Sequence, residues 1–143
     1  MGKVGAGTEM ASPLLACMVA AAAFYHLPPR VLPSIQAVEG GRIGMISPNH
    51  NGTADLGLMQ VNTIWIRPIA NYAHMPPGTV AIRLIDDGCF NIQVSAVIMR
   101  VYLNEVHGNL MAAIGHYHSH TPMLSLAYQQ RVLAAANALF ARR

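Results

Sequence analysis

The chain has 143 residues, 53% of them hydrophobic and 10% charged, with a formal net charge of +3 when histidine is neutral. That length suits a single domain with one real core, and the composition excludes a disordered chain, which needs few apolar residues and much charge. The arginines are scattered through Arg30, Arg42, Arg67, Arg83, Arg100 and Arg131, with a pair at Arg142 and Arg143, so the mild basic bias lacks the clustering of a nucleic-acid binder.

Taken in chain order, the first segment is Ala11 to Phe24, apolar and rich in alanine, with Lys3 ahead of it. Two readings fit it: a secretory signal with a small-residue cleavage site near Ala23, or a buried helix of the domain. It is too short for a comfortable membrane span, and no integral span is expected. Leu27-Pro28-Pro29 breaks the chain, because proline lacks a donor and restricts the residue before it. Val31, Leu32, Ile35 and Val38 then recur at helical spacing. Glu39 therefore sits near the end of a short helix that Gly40 and Gly41 stop. Ser47 to Gly52 is dense in turn formers, and any sheet should be a small hairpin around Ile43 to Thr53. Apolar periodicity resumes from Asp55 to Ile66, and Met75-Pro76-Pro77-Gly78 reads as a loop. A helix is expected from Asp86 to Val106, with Asp86 or Asp87 near its start and Gly108 after its end. Further helices are expected from Asn109 to Tyr117 and from Ser125 to Phe140. The fold class is α+β, predominantly α.

Cys17 and Cys89 are the two cysteines. Neither belongs to a C-x-x-C pair, which argues against zinc or thioredoxin-type chemistry. Two buried thiols and one disulfide closing a long loop both remain compatible with the sequence.

Acidic residues are scarce: Glu9, Glu39, Asp55, Asp86, Asp87 and Glu105. Glu39 is the unusual one, since it follows Ile35 and Val38 and precedes two glycines that let a large substrate approach the backbone. A carboxyl group in an apolar wall has its charged form disfavoured, so it can stay protonated and donate to a leaving oxygen. Gly57-Leu58-Met59-Gln60, continued by Val61-Asn62, reads as a helix start whose amides could meet a sugar. Histidines are frequent at His116, His118 and His120. Alternate positions point to different sides of a helix, and no cysteine or carboxylate adjoins them in sequence, so no metal or other cofactor is expected.

The ordered set Glu39, Asn51-Gly52-Thr53-Ala54-Asp55-Leu56-Gly57-Leu58-Met59-Gln60-Val61-Asn62, Cys89-Phe90-Asn91-Ile92 and Ala113-Ile114-Gly115-His116-Tyr117 resembles the soluble lytic transglycosylase domain. It is most like the small enzymes of type III and type IV secretion, conjugation and pilus systems. The resemblance spans roughly Cys17 to Phe140. It implies a lysozyme-like fold, dominated by helices with a small hairpin or loop lobe, and a cleft between lobe and helices. The family often opens with Cys, Tyr, Pro and then the catalytic Glu, an order that Cys17, Tyr25, Pro29 and Glu39 repeat. The resemblance thereby makes the Ala-rich segment the first helix of a single domain over residues 11–143. Residues 1–10 are then a disordered or cloning-derived start, and the export signal of a periplasmic or exported protein lies outside the chain.

By that resemblance Glu39 is the single catalytic acid and base. It cleaves the MurNAc-GlcNAc bond of peptidoglycan with formation of a 1,6-anhydro ring, and so opens the wall locally for a secretion, conjugation or pilus apparatus. Met59 and Gln60 line the saccharide cleft, Asn62 is a further cleft residue, and Tyr117 is the tyrosine whose hydroxyl lies near the glutamate. A Cys17–Cys89 disulfide is implied as well. The sequence departs from the family pattern at Gly40, where the family has Ser, and at His118-Ser119-His120, where it has Asn-Ala-Gly. Two other functions stay open. One is a lysozyme-type hydrolase in which Asp55 activates water opposite Glu39; the other is a catalytically weakened wall-binding assembly protein.

Overall fold

A computed structural model describes residues 12–141; the segment 1–10, expected to be disordered or cloning-derived, lies outside the described residues. Seven helices and one small sheet make up the described chain. The elements run α1 (Ser12–Phe24), α2 (Val31–Glu39), β1 (Ile46–Pro48), β2 (Ala54–Leu56), β3 (Val61–Asn62), a single 3-10 turn (Thr63–Trp65), α3 (Ile66–Ala73), α4 (Pro77–Asp86), α5 (Gly88–Glu105), α6 (Leu110–His118) and α7 (Pro122–Leu139). This is a predominantly α, α+β architecture. No described helix is long and apolar enough to cross a membrane.

Helix α5 is the axis of the molecule. Asp87 caps it by accepting the Phe90 amide at 3.0 Å, which satisfies a donor that helix geometry leaves free. Eleven of its residues are buried, from Gly88 to Leu103, and α1, α4 and α6 pack around it. A helix buried on most sides loses the one-sided apolar stripe of a surface helix. Its own Ile92, Ala96 and Met99 are fully enclosed, as are Leu32, Ile35, Met59, Val80 and Leu84 of the surrounding elements. Disulfide-linked Cys17 and Cys89, with Cα atoms 5.5 Å apart, tie α1 to the start of α5. Such a separation suits the bond geometry.

The sheet is antiparallel in the order β1-β2-β3, with Ile46 opposite Leu56, Ser47 opposite Asp55, and Asp55 opposite Asn62. Of the turn-forming run, Ser47 and Pro48 belong to β1, and Asn49 to Gly52 lie between β1 and β2. There the Asn51 Oδ1 accepts both the amide and the hydroxyl of Thr53, at 3.1 and 2.7 Å, a local side-chain turn of the kind asparagine favours. The hairpin thus extends past the expected window to Leu56 and gains a third strand.

Two expectations fail here. Asp55 to Ile66 is not a helical stretch: Gly57 and Gln60 adopt left-handed φ of 70° and 55°, so Gly57–Gln60 is the tight turn joining β2 to β3. The chain from Ile66 to Asp86 also carries two helices that the expectations omitted. Pro77, read as part of a loop, stands instead at the first turn of α4, where its missing amide costs nothing.

Candidate active-site cleft

Helix α2 ends at Glu39 because Gly40 takes a left-handed φ of 66° and returns its amide to the Gln36 carbonyl at 2.8 Å. A left-handed C-terminal residue favours glycine over serine. Gly41 then lies flat against the backbone carbonyls of Gly57 and Leu58, where a Cβ would collide. The end of α2 and the β2–β3 turn are thereby docked backbone to backbone, and Glu39 is set beside the small sheet.

The turn itself is held by Asn91 of α5, which is fully buried. Its Nδ2 donates to the carbonyls of Leu56 and Leu84 at 2.9 and 2.8 Å, and its Oδ1 accepts the Met59 amide at 2.8 Å. One side chain thus answers three backbone groups at and beside the turn, as burial requires. Gly57 must lack a side chain, because its Cβ would meet the Leu84 carbonyl and the Asn91 amide.

Between the sheet and the helices lies a cleft of about 390 Å³. Glu39 and Asp55 line it together with Gln60, Asn62, Trp65 and Tyr117, and His116, His118 and His120 edge it. Its walls are amides, hydroxyls, rings and two carboxylates, a polar lining with aromatic faces.

Glu39 is half-buried, and burial raises its carboxyl above the ordinary value of 4.5. The negative charge of Asp55 raises it further, whereas a hydrogen bond from Tyr128 and the positive charge of Arg131 pull it down. The Tyr128 hydroxyl donates to Glu39 Oε2 at 2.7 Å. Tyr128 is itself buried, and burial beside Glu39 pushes its own ionisation up, so it stays a phenol and a donor. The His118 ring stacks parallel on it at 4.9 Å, and the Arg131 guanidinium lies over its ring at 5.3 Å.

The expected site residues are distributed unevenly. Gln60 and Asn62 line the cleft. Gln60 Nε2 donates to the Gly57 carbonyl at 3.0 Å. Asn62 Nδ2 donates to Asp55 Oδ1 at 2.9 Å and to the Thr53 hydroxyl at 3.1 Å, while its Oδ1 accepts the Ile64 amide at 3.0 Å. Met59 departs from the expectation: its side chain is fully enclosed in the core, and only its backbone serves the site. Tyr117 departs in part. It lines the cleft, but its hydroxyl donates to the Met59 carbonyl at 3.0 Å and lies in hydrogen-bond contact with the Ser95 hydroxyl, also at 3.0 Å. The phenol bonded to the glutamate is that of Tyr128.

Tyr128 was missed, yet Ser125, Tyr128 and Val132 are a buried stripe at helical spacing on α7. A tyrosine on such a stripe needs a partner for its hydroxyl, and that is the signal in the sequence. Gly115 of the Ala113–Tyr117 run lets α6 and α7 meet, since a Cβ there would strike Ser125 Oγ. Across this contact the His118 ring, which lines the cleft with Tyr117, stacks on the buried Tyr128.

The histidines also differ from expectation. His116 and His120 are four residues apart, and their rings stack at 4.0 Å. Glu105, at the end of α5, lies beside both: its Oε2 is 2.9 Å from His120 Nε2 and 3.6 Å from His116 Nδ1. A carboxylate does adjoin them, brought in from a different helix.

No protein-family model and no curated protein matches the chain.

Proposed function

We propose that the chain is a peptidoglycan lytic transglycosylase of lysozyme-like fold in which Glu39 is the only acid and base. The observation that carries this reading is a single carboxyl, held towards its protonated form by burial, on the wall of a polar cleft and fixed by the Tyr128 hydroxyl. Protonated Glu39 donates to the glycosidic oxygen as the bond from that oxygen to the MurNAc anomeric carbon breaks. The resulting carboxylate then takes the proton of the sugar's own 6-hydroxyl, whose oxygen bonds to the anomeric carbon and closes the 1,6-anhydro ring. Glu39 ends protonated and no water is consumed, so the second carboxylate of an ordinary glycosidase pair is not required. Tyr128 engages Oε2 and leaves the other oxygen to meet substrate. Gln60 presents its amide to the glycan, and Asn62, whose N–H groups engage Asp55 and Thr53, holds the wall beside it.

A disulfide between Cys17 and Cys89 supports work in an oxidising compartment such as the periplasm, where the glycan strands lie. Components of a secretion, conjugation or pilus apparatus are the protein partners this reading implies.

Asp55 favours a second reading. It lines the same cleft and acts electrostatically on Glu39, so a hydrolase with Asp55 as base is the rival. Against it, the Asn62 amide already engages Asp55. The mass of soluble fragments from purified peptidoglycan tests the proposal. Anhydro products, one water lighter than hydrolysis products, are expected. Reducing-end products alone would overturn it in favour of the hydrolase, and no release at all would favour a wall-binding protein.

A further inference from the structure

Neither the acid–base chemistry of Glu39 nor the packing of the core uses the cluster at the far side of the cleft wall. Glu105 closes α5, His116 lies in the last turn of α6, and His120 follows just beyond that helix. One donor atom from each of the three residues lies within 4.8 Å of the other two, and Glu105 Oε2 is 3.6 Å from His116 Nδ1 and 2.9 Å from His120 Nε2. Three donors at about 2.0–2.2 Å around one tetrahedral ion stand roughly 3.3 Å apart. The two separations from Glu105 Oε2, 2.9 and 3.6 Å, bracket that spacing.

A second observation is independent of the spacing. His116 Nδ1 is buried from solvent, with no hydrogen-bond partner among the described residues. A buried ring nitrogen without a partner forfeits the hydrogen bond that water would give it, and its neighbour is the Glu105 carboxylate. A cation between them would satisfy both. The Tyr102 ring meets both imidazoles edge-on, at 5.9 and 5.3 Å, and gives the pair an aromatic backing.

We propose that Glu105, His116 and His120 bind a divalent transition-metal ion of the zinc class on the cleft wall. Two imidazoles and one carboxylate are a donor set that suits zinc, copper or nickel better than the oxygen-seeking calcium or magnesium. The imidazoles now stack, with 27° between their planes, so both lone pairs reach one ion only after the His120 ring turns off the stack. That side chain is 53% exposed and lies past the helix, where the turn meets little resistance. Three protein donors leave at least one coordination position open, and His116 and His120 direct it towards the cleft they edge.

The test is calorimetric titration of the full chain with zinc chloride, together with the visible absorption of the cobalt(II) form. One equivalent of zinc is expected, with at least tenfold weaker binding in each of His120→Ala and Glu105→Gln. Cobalt should give the intense visible bands of a four-coordinate site in the parent chain and lose them in both variants. His120 and Glu105 are surface residues, so these variants keep the proposal testable if His116→Ala fails to fold. His50→Gln, away from the cluster, should bind as the parent does. Absence of stoichiometric binding by the parent chain, or isotherms unchanged in both cluster variants, would overturn the proposal.

Discussion

Tyr128→Phe removes one oxygen from the site and leaves the ring, its stacking with His118 and its burial in place. The lost contact is a 2.7 Å hydrogen bond to Glu39 Oε2, and its value depends on the charge of Glu39. Hydrogen bonds to a charged group contribute about 1.5–3 kcal/mol, those between neutral groups about 0.5–1.5 kcal/mol. The substitution should therefore cost roughly 1.5–3 kcal/mol where Glu39 is ionised, about 6–12 °C in melting temperature for a domain of this size. In acid, where Glu39 carries its proton, the cost should fall to about 0.5–1.5 kcal/mol. The activity should change with a definite sign as well. Tyr128 lowers the Glu39 ionisation against the stronger effect of burial, so its loss raises that ionisation further. In the proposed reaction the acid form of Glu39 then survives to higher pH, and the alkaline limb of the pH–rate profile moves up. Urea unfolding from acid to neutral pH and a pH series of muropeptide release would measure both. A cost that does not vary with pH, together with an unmoved alkaline limb, would refute the coupling of Tyr128 to Glu39.

Three more outcomes are expected. Glu39→Gln should lower muropeptide release by at least about 10²-fold, the lower bound for a general acid–base group. It should also raise the melting temperature near neutral pH. Burial lifts the folded-state ionisation of Glu39 above 4.5, so the native protein loses stability as pH rises from 4.5 through that raised value, and glutamine escapes the loss. The gain should vanish in acid, which differential scanning fluorimetry at two pH values will show. Asn91→Leu leaves three buried backbone groups without their partner and should destabilise by at least about 3 kcal/mol at roughly 1–3 kcal/mol each; urea unfolding measures it. Reduction of the Cys17–Cys89 bond, which closes a 72-residue separation, should cost about 4 kcal/mol on the chain-entropy model, read as the melting shift between reduced and oxidised protein.

The helical frame was legible because its signals are local. Asp87 ahead of α5, Asn109 ahead of α6 and Gly40 after α2 each act on backbone groups within a turn of themselves, so the sequence around them announces where a helix begins or stops. The sheet lobe was less legible. Leu56, Leu58, Met59 and Val61 are all buried and read as a helical stripe, because a short apolar run does not distinguish a buried helix from buried strands. What decides between them is remote: Asn91, more than thirty residues on, supplies the partners of the turn, and Leu84 and Asn91 crowd Gly57 so that no side chain fits.

The same division explains the site. Glu39 stands out from its own neighbours, an acid in an apolar helix followed by two glycines. Its partner does not, because Tyr128 is 89 residues away and meets it only through the packing of α2 on α7. Tyr117 was the nearer candidate, and its phenol is taken by Ser95 and the Met59 carbonyl instead. Those two bonds tie Tyr117 to the β2–β3 turn on one side and to α5 on the other. Tyr117 thus braces the wall of the cleft, while Tyr128 bonds the Glu39 carboxyl and partly offsets the effect of its burial. A mechanism that asks one tyrosine to do both would need a single hydroxyl to reach Met59 and Glu39 together. The chain divides the two tasks between α6 and α7, and Gly115 lets those helices meet without a side chain between them.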